Sequence, residues 1–326
     1  MSSDKAGKQT RIARADAAAI EDAAAVLRAG GLAAFPTETV YGLGTRADDP
    51  RAVASLYAAK GRPSFNPLIA HVRNLDAAKR LGNFSKAALV IAEKFWPGPL
   101  TLVVKVSGNE SVCELARAGL DTIAIRVPSH EIAQALLTRV DFPIVAPSAN
   151  RSGHVSPTTA QHVAEDLSGK IDLILDGGAS KGGIESTIVD FSGDVPRLLR
   201  SGGIARVAIE KITGPLLHAD KSEISAPGMM ASHYAPNAKI RLDAKEVREN
   251  EALLAFGASR PEGTDRAREI LNLSERGDLT EAASNLYAYL RALDASGVEA
   301  IAVASIPREG LGEAILDRLQ RAAAPK

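Results

Sequence analysis

Pro36-Thr37-Glu38-Thr39-Val40-Tyr41-Gly42-Leu43-Gly44 follows the apolar run Gly31-Leu32-Ala33-Ala34-Phe35 and precedes a helix signal at 49–60. An apolar run that empties into hydroxyls and glycines reads as a strand of an α/β sheet and the loop leaving it, where such folds hold ligands. Three hydroxyls, one carboxylate and two glycines in nine residues exceed what a connection needs. A polar turn rich in β-formers has the same composition, so the reading needs support from the rest of the chain.

That support comes from both sides of the stretch. Upstream, alanine-rich residues 16–28 form a helix signal capped by Asp16 and stopped by Gly30-Gly31. Downstream, Asp49 as N-cap, Pro50 at the first helical position and Gly61 past the end delimit a helix over 50–60. Lys60-Gly61-Arg62 therefore falls on its exit turn. A strand is expected at 67–72 with His71 near its end, a helix at 85–95, and strands at 100–106 and 122–127, the latter ending on Arg126. A helix over 129–140 capped by Ser129 leads to a short buried strand at 143–146, which empties into Pro147-Ser148-Ala149-Asn150-Arg151-Ser152-Gly153. A helix at 157–167 and strands at 171–175, 186–191 and 197–199 complete an α/β domain over 13–212, after a disordered polar tail at 1–12.

Residues 213–239 change character. Prolines at 215, 227 and 236 and the lack of periodicity mark a linker, and long loops of this kind are disordered or serve as lids. Pro227-Gly228-Met229-Met230 and His233-Tyr234-Ala235-Pro236 favour the second. Strand patterns at 240–242, 252–256 and 298–304 then alternate with helices at 279–293 and 311–323, a small parallel α/β domain over 240–326.

The 326 residues, 45% of them hydrophobic, suffice for two domains with their own cores. Lys plus Arg equals Asp plus Glu at 39 each, so no global field draws the chain to nucleic acid or anionic lipid. Any polyanion site is local. Between residues 36 and 80 seven basic residues face four acidic ones, a patch that suits an anionic small molecule better than a nucleic-acid stripe. A single cysteine, Cys113, excludes an intrachain disulfide and a cysteine metal cluster, and reads as a packing residue. With no signal peptide and no apolar run of spanning length, the expectation is a cytoplasmic protein without membrane contact.

No G-x-x-x-x-G-K-[ST], strand-anchored G-x-G-x-x-G, H-E-x-x-H or G-x-S-x-G is present, so any ATP site must use scattered groups. Lys60, Arg62, Arg126 and Arg200 each follow or end a regular element and can converge at one sheet edge, where guanidiniums grip phosphate oxygens in pairs. Ser148 and Asn150 leave a strand on alternate positions, so their side chains point the same way, to hold an adenine, ribose or phosphate or to cap the next helix. His71 is placed to hydrogen-bond a ligand or to serve the core. Gly182-Gly183 before a strand allows backbone N–H groups to approach an anion.

The ordered set PTETVYGLG, KGRP-x-x-NPL-x-x-H, DTIAIRVP, APSANRSG, GGIESTIVD and LLRSG, followed by PGM-x-x-SHYAP, resembles the threonylcarbamoyl-AMP synthase family in its longer two-domain form. The resemblance implies a YrdC-like open twisted mixed sheet with helices and a concave basic cavity, then a linker and a smaller Rossmann-like α/β domain. It implies condensation of L-threonine, bicarbonate or CO2, and ATP to threonylcarbamoyl-adenylate and pyrophosphate, which feeds tRNA modification. Carried over by motif, Thr39, His71, Arg126 and Ser186, with the Ala146 backbone, are expected around threonine. Arg62, Asn66, Thr122, Ser148, Ser156 and Arg200 are expected around ATP, with Lys60 and Asn150 in the same cavity and Tyr234 as a lid. Mg²⁺ is expected with the nucleotide, held by water and phosphate oxygens rather than a protein cluster. Family members often carry basic and aromatic residues where this chain has Met230-Ala231-Ser232, which removes a linker charge. The expected partners downstream are the tRNA threonylcarbamoyl transfer machinery. Two other readings stay open: a non-catalytic RNA-binding module using the basic concave surface, and a carbamoyl transferase acting on another amine.

Overall fold

The computed structural model describes residues 8–108, 111–218, 226–229 and 233–325. The first part of the chain runs β1 (Arg11–Arg14), α1 (Ala17–Arg28), β2 (Ala33–Phe35), β3 (Gly42–Arg46), α2 (Pro50–Lys60), β4 (Ile69–His71), α3 (Leu75–Lys79), β5 (Gly82–Asn83), α4 (Lys86–Phe95) and β6 (Leu100–Val106). It continues with β7 (Thr122–Arg126), α5 (Glu131–Arg139), β8 (Ile144–Val145), α6 (Ala160–Leu167), β9 (Leu173–Asp176), β10 (Thr187–Asp190), β11 (Arg197–Arg200), α7 (Arg206–Thr213) and β12 (Leu217–His218). The last part contains β13 (Lys239–Arg241), β14 (Glu251–Ala255), β15 (Ile270–Asn272), α8 (Leu279–Ala295), β16 (Ala300–Val303) and α9 (Leu311–Ala323).

Local chemistry sets several of these ends. The Asp16 carboxylate accepts from Ala19 N, and Asp49 accepts from Arg51 N with Pro50 next and Gly61 left-handed at the exit. Several boundaries differ from the sequence reading by one to three residues, and α3, β5, α7, β12 and β15 are absent from it; three of the shifts are instructive. Arg11 and Ile12, read as tail, belong to β1, which pairs in parallel with β9. The cap of α5 is His130 rather than Ser129: its ring Nδ1 accepts from Ile132 N at 3.2 Å, while the Ser129 N–H donates to the Glu38 carboxylate. Helix α6 starts at Ala160, since the Pro157 and Thr158 carbonyls accept from Tyr41 N and Ser180 N instead.

Among the described residues twelve strands form one mixed sheet, in the order β1-β9-β2-β3-β8-β4-β7-β6-β10-β11-β12, with β5 against β6. The opening stretch is a hairpin in this sheet. Phe35 pairs antiparallel with Gly42, so Gly42-Leu43-Gly44 are strand, and only 36–41 is loop. A side chain at Gly44 would stand 2.7 Å from the Phe35 ring and 2.9 Å from Ile144, which is why β3 can lie so close to its neighbours. Helices α2, α4 and α6 cover one face over a core that includes Leu43, Leu56, Ile91 and Val163, while α1 and α5 close a second core around Phe35, Leu136 and Ile144. On the concave side Ile69, Val103, Ala124, Ile188 and Leu199 meet Ala226 and Met229 of the segment 226–229.

The second sheet has the order β13-β16-β14-β15 with every pairing parallel. It is a parallel α/β sheet as expected, but its order is not the 3-2-1-4 of a dinucleotide-binding half. Leu286, Leu290 and Ile315 of α8 and α9 share an apolar cluster with Val40, Val155 and Ile184 of the larger sheet, so the two parts are packed together. Each such buried side chain contributes about 1.5–3 kcal/mol. Among the described residues no helix is long and apolar enough to cross a membrane.

Candidate active site

The strand ends of β3, β4, β7 and β8 and the loop before β10 converge on one cavity. Thr37, Thr39, Arg62, Ile69, His71, Arg126, Ala146, Pro147, Ser148 and Glu185 line it below, and Arg200, Pro227, Gly228, His233 and Tyr234 close it above. Only about 50 Å³ of water-sized space remains. That is room for one or two waters, so a nucleotide can enter only if 226–229 and 233–234 move.

One wall is the 36–41 loop. Thr39 Oγ1 lies 2.8 Å from Thr37 Oγ1, and Thr37 in turn donates to the Val40 carbonyl. Glu38 turns away to Arg126, whose Nη2 donates to Glu38 Oε1 at 2.7 Å. Burial would raise the Glu38 carboxyl, but the Arg126 charge and hydrogen bond outweigh it and hold it below its usual range. Arg126 is thereby fixed on the sheet, yet its buried Nε has no partner among the described residues. His71 sits on the neighbouring strand, its Nδ1 donating to the Ile69 carbonyl at 3.1 Å. Burial and the nearby Arg126 push His71 down to about 3, so the ring is neutral. A base that weak does not deprotonate an amine; it orients one.

The other wall is cationic. Arg62 donates to the Asn66 and Pro67 carbonyls at 3.3 and 3.0 Å, and burial pushes it down to about 10. Arg200 donates to the Ser186 carbonyl, to Ser186 Oγ and to the Pro227 carbonyl, and burial lowers it as well. Neither guanidinium forms an ion pair among the described residues, and both are buried. Two buried cations without a directly bonded carboxylate, Arg200 with only the Glu185 negative charge nearby, are costly until a further anion arrives.

Of the residues read from sequence, Thr39, Arg62, His71, Arg126, Ala146, Ser148, Arg200 and Tyr234 meet at this cavity. Lys60, Asn150, Ser156, Ser186 and Asn66 lie behind its walls. The Lys60 ammonium, pushed well down by burial, donates to the Ser148 and Asn150 carbonyls at 2.5 Å each instead of aiming into the cavity. Ser148 Oγ donates to Asn150 Oδ1 at 2.5 Å, so the two side chains do share a side. Ser156 is bound to Glu185, and Ser186 to Thr101. Thr122 starts β7, on the same face as Arg126 but about 13 Å along the strand, with Ala124 between them under Ala226 and Met229.

The glycine turn at 182–183 is not free for an anion. Gly182 N donates to the Glu38 carbonyl at 2.7 Å, and a side chain at Gly183 would stand 2.2 Å from the Ala283 carbonyl of α8. Its glycines serve backbone packing. Met230-Ala231-Ser232 lie outside the described residues. Cys113 is half-buried, its thiol pushed up by burial, consistent with packing. Sequence reasoning assigned no role to Glu38, Glu185, Tyr287 or Arg318. Arg318 left one signal: it lies between Ile315 and Ala322 on the apolar side of α9, where an arginine is out of place without a buried partner.

Fold and site define an α/β protein with one cavity lined by buried guanidiniums and hydroxyls and covered by residues 227–228 and 233–234. Family comparison places it further: residues 25–202 match the model described as "Telomere recombination", and residues 204–324 match "Threonylcarbamoyl-AMP synthase, C-terminal domain". The chain belongs to the threonylcarbamoyl-AMP synthase family. It is 41% identical to the threonylcarbamoyl-AMP synthase of Pyrococcus abyssi over 93% of each chain, and 40% identical to that of Bacillus subtilis over 93% of this chain and 92% of the other. Among solved structures it resembles P. abyssi Sua5 complexed with L-threonine, with a TM-score of 0.87 and 38% identity over 97% of each chain.

Proposed function

We propose that the chain condenses L-threonine, bicarbonate or CO2, and ATP to threonylcarbamoyl-adenylate, with loss of pyrophosphate. The observation that carries this is the pair of buried guanidiniums without a direct ion pair among the described residues, Arg62 and Arg200, facing the Glu38-anchored Arg126 across one cavity. Arg126, with its unpartnered Nε, receives the threonine carboxylate, and Thr39, neutral His71, the Ala146 backbone and Ser186 orient the amine and hydroxyl. The neutral amine nitrogen bonds to the carbon of CO2 as one C=O electron pair moves onto oxygen, and it gives up a proton to solvent; where bicarbonate is the source, it first takes up a proton and loses water to supply that CO2. A carbamate oxygen then bonds to the α-phosphorus as the bond to the β-phosphate bridging oxygen breaks, and its electron pair leaves with pyrophosphate.

ATP enters as its Mg²⁺ complex. Glu38 and Glu185 are both committed to arginines, so the cation would keep water and phosphate oxygens as ligands. Arg62, Arg200 and Ser148 take the phosphates and sugar, with Asn66 and Ser156 backing that wall through Arg62 and Glu185, and the base reaches over Ala124 toward Thr122 when 226–229 lifts. Lys60 and Asn150 hold the Ser148 loop in shape. No protein nucleophile is needed; positioning and charge supply the rate. Tyr234 is the lid that keeps water from the acyl phosphate. In this reading 13–212 is catalytic, 213–239 the linker and lid, and 240–326 an accessory domain, and the enzyme works in the cytoplasm and hands its product to the tRNA threonylcarbamoyl transfer machinery.

The test is pyrophosphate release by purified protein. Release that requires ATP, threonine and bicarbonate together is expected, and Tyr234→Ala lowers the yield of intact adenylate while the protein stays folded. A protein that only binds RNA releases none, and release with a different amino acid in place of threonine would make it a carbamoyl transferase of another kind.

A further inference from the structure

The lid side chain is held by residues of the second domain that the reaction itself does not use. Glu185, just before β10, is buried at the floor of the cavity. Its Oε1 accepts from Ser156 Oγ at 2.6 Å, and its Oε2 accepts from the Tyr287 hydroxyl and from Arg318 Nε, both at 2.8 Å. Arg318 lies on α9 and is wholly buried; its Nη2 donates to the Ser201 carbonyl at 2.9 Å and its Nη1 to Asp317 at 2.5 Å. The same guanidinium stands 5.3 Å from the Tyr234 ring centroid, and the Tyr287 ring stacks on Tyr234 at 5.6 Å and 24°. Tyr234 itself has φ +62, a backbone state a tyrosine does not hold without outside support.

We propose that Arg318 is a positioning residue through which the second domain holds Tyr234 over the cavity, acting with Tyr287 from the shared anchor Glu185. The inference rests on the adenylate-forming reading above. A buried ion pair adds little net stability over apolar packing, and the apolar cluster of α8 and α9 already joins the two parts. What the guanidinium adds is geometry. Its fork reaches Glu185 through Nε and Ser201 through Nη2 while its Cζ stands over the Tyr234 ring, which a lysine ammonium cannot do. Entry of ATP moves Tyr234, and Glu185, Tyr287 and Arg318 remain as the seat to which it returns.

The experiment compares full-length Arg318→Met, Tyr287→Phe and the charge-balanced double variant Glu185→Gln/Arg318→Met with wild type and Tyr234→Ala. The readout is AMP formed per pyrophosphate at early times, which counts adenylate hydrolysed in the site, together with KM for threonine and the melting temperature. Loss of the seat should raise the AMP ratio about tenfold, as removal of a coupled contact does, with KM for threonine unchanged and no further rise when Tyr234→Ala is added. Tyr287→Phe loses only one hydroxyl, so it carries the test if Arg318→Met fails to fold. A lower melting temperature with the wild-type AMP ratio in every folded variant overturns the proposal, while the rise in Tyr234→Ala alone leaves the lid standing. Absence of threonine-dependent pyrophosphate in wild type overturns the adenylate reading and this proposal with it.

Discussion

At the scale of single residues, the site works by dividing its charges. Arg126 is neutralised by Glu38 and so can be buried on the sheet at modest cost, whereas Arg62 is bound by backbone carbonyls and Arg200 by carbonyls and the Ser186 hydroxyl, neither in a direct ion pair among the described residues. Thr39, the residue first singled out in the opening stretch, is buried against Thr37 at the mouth of the Arg126 pocket. Thr39→Val keeps its shape and removes the hydroxyl. It should raise KM for threonine about three- to tenfold, the worth of one hydrogen bond, with KM for ATP unchanged; an unaltered threonine dependence in initial-rate assays would make this wall structural. Thr39, Arg62, His71, Arg126 and Arg200 were legible in sequence because each sits at the end of a recognisable element. Glu185 and Arg318 were not, because a carboxylate and an arginine 133 positions apart become partners only when two domains pack.

At the scale of elements, glycines decide how closely the pieces approach. Gly183 has φ +70, and an added Cβ would meet the Ala283 carbonyl at 2.2 Å and Ser284 at 2.5 Å, so the loop before β10 rests directly on the α8 backbone. Gly183→Ala should cost more than about 2 kcal/mol, strain and clash together. Gly178→Ala, also at positive φ (+79) but with nothing within 4 Å, is the control and should cost about 1 kcal/mol. Denaturant unfolding of the two variants measures the difference; equal losses would show that α8 yields. The helices α1 and α2 could be read from their caps, since a cap is local chemistry. The hairpin of β2 and β3 could not, because three-residue and five-residue strands with glycine at alternate positions carry too little periodicity to be told from loop.

At the scale of the whole molecule, a neutral chain conceals a strongly polar interior, and this makes stability depend on pH. Burial pushes His71 and His233 down to about 3 from 6.5, so the folded state binds their protons less readily than the unfolded chain. That stability is complete above pH 6.5 and is lost as pH falls toward 3. Burial would raise Glu185, but the Arg318 and Arg200 charges bring it down to about 2, and its contribution is lost between pH 4.5 and 2. All three groups act in the same direction. Unfolding free energy should therefore fall from about pH 6.5 downward, by on the order of 2 kcal/mol per histidine at pH 5, with the melting temperature falling alongside, and His233→Gln should flatten that slope. A melting temperature constant from pH 7 to 5 would mean that the interior stays open to water in solution.

Taken alone, the sequence determined what local chemistry and motif order can carry: the caps, two α/β regions, the hydroxyl- and arginine-bearing loops and the family they resemble. Only the tertiary structure decided which of those groups face one another. It turned Pro36 to Gly44 from a strand exit into a hairpin whose loop walls the cavity, set Lys60 on the Ser148 and Asn150 carbonyls and Gly183 on the α8 backbone, and paired Glu185 with Arg318 beside Tyr234. The physical reason is that capping and periodicity act over a few residues, whereas pairing of buried charges and the close approach of backbones depend on contacts between segments far apart in the chain.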